Sequence, residues 1–404
     1  MARSTSTTKL KPWQIVVILV IAGLVYAYQA GYFNRWLGST SLEPTSVAGP
    51  TTPTNPPTMA DPNNVLAALD PDKAYVAEGA WYQVFFTRPS YPEKAAGRKG
   101  GVDAAMIADI DAAKSTIYIA SFDFDLELMT DALIRAKKRK VKVQLVVDDE
   151  NLASPEVAET TGRLEAAKIP ITWDERSAFM HNKIVVIDDT IVWTGSMNLV
   201  VNDVYRNNNN MIRSTVPELV ANYRQRFLDL FAGKLGSKAP KNTPNPVIKL
   251  AGGVQIETYF SPVDKPRSKI VNYIKKAKQS VNVLAFSFTD DDTAQALIDR
   301  HEAGLEIQVV MEARNADGTG SEFGILEDAG IPILRDANCY ILHNKTMIID
   351  EKIVITGSYN FTAAAENNND ENLLIITDPD LARHYLAEFD RLYAQAKNPA
   401  GCGR

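Results

Sequence analysis

The sequence predicts an α/β protein made of two similar αβ halves, each a mixed sheet flanked by helices, with a transmembrane helix ahead of them. Three observations predict it. From residue 82 onward β-rich runs alternate with helical stretches, an order that argues for helix-covered sheets over a sandwich. A polar pattern, H-x-K-x4-D-x6-G-S-x-N, occurs at His181–Asn198 and returns at His343–Asn360 after 162 residues. Residues 12–34 carry no charge, and such a run is apolar and long enough to cross a bilayer.

Residues 1–12 read as a cytoplasmic N-terminus and 13–33 as a signal anchor. Arg3, Lys9 and Lys11 precede the apolar run and only Arg35 follows it closely, so the positive-inside rule directs the remainder out of the cytoplasm. Secretion after signal cleavage is the competing reading, disfavoured because no small-x-small cleavage pattern follows. Residues 34–65 are rich in Thr, Ser and Pro and read as an extended tether that cannot bury enough apolar surface to fold. The chain carries a formal charge of −6, and residues 1–40 contribute +4 of their own, leaving −10 on the rest. That balance disfavours clamping long nucleic acid by bulk charge.

The first half, residues 66–235, opens with a strand over 82–87. Helices over 104–114 and 126–138 alternate with strands over 115–122 and 141–147, and a further αβ passage over 153–173 leads into the first motif. After it come Asn207–Asn210 and a helix over 216–231. A linker over 236–250, with Pro240, Pro244 and Pro246, joins the halves. The second half, 251–404, replays the order: strands near 258–261, 280–288 and 305–311, with helices over 265–278, 293–303 and 379–396. Tyr223, Phe227 and Phe231 reappear as Tyr385, Phe389 and Tyr393. Their spacing of four makes each trio a core stripe on one helix face. Asp290–Asp292 reads as a helix N-cap region.

His181 and Lys183 lie two apart in a β-rich run and so share a face. Asp188-Asp189-Thr190 is a turn signal, followed by a second β-rich run into Gly195-Ser196-x-Asn198. If the runs form a hairpin about residue 189, an imidazole, an ammonium, a hydroxyl and a carboxamide converge. That set suits a phosphate, with Lys supplying charge and Ser and Asn supplying donors. Asp188 and Asp350 have the opposite parity and read as turn or ion-pair residues near the site. Only four histidines and two cysteines occur, too few for a zinc-type cluster. An exported domain permits a disulfide between Cys339 and Cys402, but sequence fixes no geometry and the pairing is not assigned.

The doubled motif resembles that of the phospholipase D superfamily. The resemblance implies pseudo-twofold αβ halves sharing one active site, a phosphohistidine intermediate, no metal and no cofactor, and a monomer holding both motifs. His181, Lys183, His343 and Lys345 would be catalytic, and Ser196, Asn198, Ser358 and Asn360 would bind phosphate. Cardiolipin-synthase-like members follow Gly-Ser-x-Asn with Asp-x-Arg-Ser, whereas Leu199–Asn202 and Phe361–Ala364 stand here. Gly357–Thr362 and Asn369–Asn372 look more like the small bacterial endonucleases and their mitochondrial relatives. The expected function is phosphodiester hydrolysis, leaning toward a phospholipid headgroup. A nuclease with the same mechanism, a phosphatidyl transferase and a tethered phosphate-binding module are the alternatives. Glu371 stands where such endonucleases carry a carboxylate that orients the imidazole, and its counterpart in the first half is Asn209. The expectation is therefore that Glu371 raises His343 as the acid while His181 attacks, unless Asp203 supplies the missing carboxylate.

Overall fold

The computed structural model describes residues 65–402. The cytoplasmic N-terminus, the anchor and the tether up to residue 64 lie outside the described residues. Among the described residues no helix is long and apolar enough to cross a membrane.

The chain folds as two eight-stranded mixed sheets of identical order. The first half supplies β1 (Ala74–Glu78), β2 (Tyr82–Thr87), β3 (Thr116–Ser121), β4 (Lys142–Val147), β5 (Ile171–Trp173), β6 (Ile184–Ile187), β7 (Ile191–Gly195), the short β8 (Asn207–Asn208) and β9 (Asn210–Ser214). The second supplies β10 (Val247–Lys249), β11 (Gln255–Ser261), β12 (Ser280–Ala285), β13 (Glu306–Met311), β14 (Ile333–Arg335), the short β15 (Ile341–Leu342), β16 (Lys345–Ile349), β17 (Ile353–Gly357) and β18 (Glu371–Thr377). The orders are β1-β2-β9-β7-β6-β3-β4-β5 and β10-β11-β18-β17-β16-β12-β13-β14. Within each, the three strands at the end of the order run parallel (β3-β4-β5 and β12-β13-β14), and the other pairings are antiparallel.

Strand alternation sorts the core into layers. On β3, Tyr118 and Ala120 face the helix Pro217–Phe231, while Ile117 and Ile119 face the helices Val102–Ala112 and Glu127–Lys138 on the other side. The helices Pro217–Phe231 and Pro379–Lys397 lie in one core with the inner faces of both sheets. The stripe residues are there: Tyr223, Phe227, Tyr385 and Phe389 are fully buried, and Phe231 and Tyr393 pack at the edge. Phe227 and Phe389 each contribute about 1.5–3 kcal/mol by their burial. Tyr223 meets Phe260 and Tyr385 meets Phe86 edge-on, so each helix also touches the opposite sheet.

The hairpin about residue 189 forms, with Ile187 paired to Ile191 and Ile184 to Thr194. Asp188 and Asp189 both take positive φ, 53° and 55°, the backbone of a type I′ turn, which Asp tolerates better than most residues. Asp350 and Glu351 repeat it. The expected position of Asp188 and Asp350 near the site is corrected here: each ends a strand whose other end leads to the histidine. Asp188 accepts the amides of Lys114, Ser115 and Thr116 at 2.7–2.9 Å, and Asp350 those of Lys278, Gln279 and Ser280. Both tie the hairpin turn to the start of the neighbouring strand. Cys339 and Cys402 are joined, tying the C-terminal tail to the loop ahead of His343.

Candidate active site

The residues before each motif strand belong to the opposite half as much as to their own. β15 pairs with β8 in parallel, and the His343 amide donates to the carbonyl of Asn208 at 2.9 Å. In the symmetric place Met180 bridges Asp370, whose carbonyl accepts the His181 amide at 2.9 Å. Asn372 crosses the same boundary, accepting the Lys183 amide and donating to Thr194, and Asn210 crosses it the other way to Asn344 and Thr356. Both motifs are thereby held at one junction, and His181, Lys183, His343 and Lys345 are all buried there.

Each imidazole takes its partner from the other half. His181 Nδ1 lies 2.6 Å from Glu371 Oε2, and His343 Nδ1 lies 3.0 Å from Asn209 Oδ1. The expected pairing of Glu371 with His343 is thus corrected: the twofold arrangement places residue 371 beside the histidine of the first half. His343 has a carboxylate too, because Asp203, from the short helix Val201–Tyr205, reaches within 3.4 Å of its Nδ1. Burial opposes ionisation of Asp203, but His343, Asn207 and the Asn198 amide outweigh it and hold the carboxyl below its usual range. Burial drives Glu371 the other way, up to about 7.

The four cationic groups depress one another. Burial pushes both histidines down, His181 furthest because Lys183, Lys345 and His343 add to the effect, whereas Asp203 pulls His343 partly back. Lys183 falls to about 8 through burial, and Lys345 falls well below its ordinary value through burial and the charge of Lys183. Each lysine donates to the carbonyl of its own motif histidine at 2.8 Å. The phenyl rings of Phe122 and Phe286 each touch an imidazole and lie under the adjacent ammonium. A buried junction of this kind gathers positive charge where an anionic phosphate would be held.

The two serines behave differently from expectation. Ser196 donates its one hydroxyl hydrogen to Asn209 at 2.8 Å and Ser358 donates to Glu371 at 2.6 Å, so each fixes the partner of the opposite histidine and has no hydrogen left for phosphate. Phosphate donation falls to the lysines and to the side-chain NH2 groups of Asn198 and Asn360; the Oδ1 atoms of these two amides have no hydrogen-bond partner among the described residues. The preceding glycines are sterically required: a Cβ on Gly195 or Gly357 would sit 2.2 Å from the carbonyl oxygen of Asn210 or Asn372. That close approach lets the amides of Ser196 and Ser358 bond those same carbonyls at 3.0 Å.

Comparison with known proteins agrees with this geometry. The family model described as cardiolipin synthase, phospholipase D-like domain, matches twice, over residues 106–231 and 270–393. The chain belongs to the phospholipase D superfamily. It is 38% identical over 132 residues to a phospholipase D of Rickettsia conorii, covering 33% of this chain and 66% of the relative. It is 32% identical over 128 residues to the mitochondrial cardiolipin hydrolase of Mus musculus, covering 32% of this chain and 58% of that protein. The matches thus span somewhat under two thirds of each of these relatives. Phosphatidylserine synthase of Haemophilus influenzae shares the fold, with a TM-score of 0.60 at 14% identity, over 83% of this chain and 90% of that one. As a member of this superfamily the chain is a phosphodiesterase.

Sequence reasoning brought the histidines and lysines of both motifs to one junction, as found, but missed the exchange of partners between the halves. From sequence Asp203 is a candidate only for the carboxylate that Asn209 lacks, whereas it stands beside His343 of the opposite half. A usable signal was present: the second half carries Ala365 where the first carries Asp203, and Glu371 where the first carries Asn209, a compensating pair of differences within the repeat.

Proposed function

We propose that the chain hydrolyses the headgroup ester of a phospholipid, with His181 as nucleophile and His343 as acid. The observation that carries it is the crossed pairing, which brings both imidazoles to one buried junction with unlike partners. A neutral His181 donates its Nδ1 hydrogen to Glu371, leaving the Nε2 lone pair to attack phosphorus. His343, with ionised Asp203 beside it, is the better-protonated ring and gives its Nε2 proton to the leaving oxygen. A P–N bond forms as the P–O bond to the headgroup breaks. Neutral His343 then takes a proton from water, the water oxygen attacks phosphorus, and the P–N bond breaks to free His181.

A lipid substrate is supported by the acidic balance of the chain outside its first 40 residues and by the aromatic walls Phe122, Phe179 and Phe286 around the imidazoles. The names of the two similar proteins, a phospholipase D and a cardiolipin hydrolase, point the same way. Membrane tethering through residues 13–33 with an exported catalytic domain belongs to the same reading. It is supported by the uncharged run and by the disulfide, a bond that persists in oxidising compartments.

Purified residues 65–404 should release headgroup from phosphatidylglycerol or cardiolipin vesicles with chelator present. Cleavage of single- or double-stranded DNA with no lipid turnover would replace this substrate by a nucleic acid. Trapped intermediate digested for mass spectrometry should carry phosphate on His181; phosphate on His343 would reverse the roles. Protease added to intact spheroplasts should degrade the catalytic domain, and its protection would overturn the topology.

A further inference from the structure

Each half carries a pair of acids that neither the motif nor the chemistry above uses. Asp148 follows β4 and Asp174 follows β5; Glu312 follows β13 and Asp336 follows β14. Because those strands are parallel neighbours, with Val147 opposite Trp173 and Met311 opposite Arg335, the acids meet at the carboxyl ends of the strands. Ligand sites of parallel sheets lie at that edge. Asp148, Asp174 and Glu312 are buried, at 1%, 5% and 2% exposure.

The acids share one task. Asp148 Oδ2 accepts the amide of Met180 at 2.7 Å, and Glu312 Oε2 accepts the amide of Leu342 at 2.6 Å. Met180 and Leu342 immediately precede the two motif histidines. Successive amides of an extended chain point to opposite sides, so the next ones, of His181 and His343, turn the other way and donate to Asp370 and Asn208 of the opposite half. The second acid of each pair braces the first: Asp174 accepts the Asp149 amide at 3.1 Å, and Asp336 accepts the Ala313 amide at 2.8 Å.

We propose that Asp148 and Glu312 are positioning residues, each fixing its motif histidine by holding the backbone amide just ahead of it, with Asp174 and Asp336 as their braces. The proposal rests on both histidines acting in phosphodiester cleavage, and it is indifferent to which phosphodiester is cleaved. Burial and the neighbouring Asp336 raise Glu312 to about 8, and burial and Asp148 raise Asp174 to about 7. Near neutrality, then, each pair holds a proton, as two close carboxyls do. A neutral acceptor of the right length should therefore serve as well as a carboxylate. Reach decides the outcome, and charge does not.

The test separates reach from charge at Glu312. Glu312→Gln keeps an oxygen within reach of the Leu342 amide, whereas Glu312→Asp keeps the carboxyl group and withdraws its oxygens by one methylene. With bis(p-nitrophenyl) phosphate as probe, Glu312→Gln should stay within about threefold of the parent kcat. Glu312→Asp should lose roughly 10- to 100-fold in kcat with KM little changed, the scale on which small misplacement of a reacting group is felt. Hydrogen exchange of a peptide spanning residues 340–344 should speed up in Glu312→Asp alone. In the first half Asp148→Asn keeps an oxygen for the Met180 amide while giving up the one that accepts the Glu150 amide, so hydrogen exchange at Met180 should stay slow there; fast exchange at Met180 would overturn the proposal if the Glu312 variants do not fold. Equal loss in both Glu312 variants, loss in the Gln variant alone, or full kcat in the Asp variant would overturn the proposal. An inactive parent chain would instead count against the catalytic reading itself.

Discussion

At the residue scale the site is asymmetric in one respect, the charge beside each imidazole. Asp203 is an ionised carboxylate 3.4 Å from His343, and removing its charge lets burial lower that histidine further. The limb of kcat/KM that falls with rising pH reports loss of the proton from the acid. In Asp203→Asn this limb should therefore move to lower pH, by about 1–2 units, while the opposite limb, where His181 becomes neutral, stays in place. A profile with both limbs unmoved would remove Asp203 from the proton inventory. The identity of every motif side chain was legible in the sequence, because H-x-K and G-S-x-N are chemically unusual at that spacing. The ownership of partners was not. A repeat invites pairing of residues within one copy, and only the rotation that relates the halves sends Glu371 to His181.

Regular elements set the position of those side chains, and turns set the position of the elements. The hairpin turn at Asp188 collects three amides from the start of β3, and those hydrogen bonds to a charged acceptor should contribute modestly because water competes for the exposed ones. Asp188→Ala should cost about 1–2 kcal/mol in denaturant unfolding and leave kcat near the parent value, since the turn ends the strand away from the histidine. A large loss of kcat with stability unchanged would return this residue to the site. Long elements such as Glu127–Lys138 and β13 were legible to within two residues of their ends, since their apolar pattern marks them. The short ones were not. β8, β15 and the helix Val201–Tyr205 have two to five residues each, too few to display a period. They exist because the opposite half or a neighbouring loop completes their hydrogen bonds, and it is these that deliver Asp203 and the backbone of His343.

Across the whole molecule, the halves are fastened by a buried ion cluster as well as by their common core. Asp370, wholly buried in the second half, pairs with Arg176 and Arg226 of the first and accepts the Gly236 amide. Asp370→Ala would leave the buried guanidinium of Arg226 unpaired, and such loss costs about 3–5 kcal/mol. Chemical unfolding of that variant should show this loss together with a fall in activity, because the Asp370 backbone also carries the His181 segment. Unchanged stability would show that the halves are held by apolar burial alone. The crossed partners have a further outcome. Two identical subunits meeting on a twofold axis must present the same face to both ester arms of a phosphodiester, so neither arm is preferred as the one to depart. Here the two halves have diverged, with Asp203 opposite Ala365 and Glu371 opposite Asn209, and a bound diester meets a different histidine on each side. On the proposed roles of His181 and His343, carrying both halves in one chain would give the substrate a sense of direction, choosing which alcohol leaves and which stays with the phosphate.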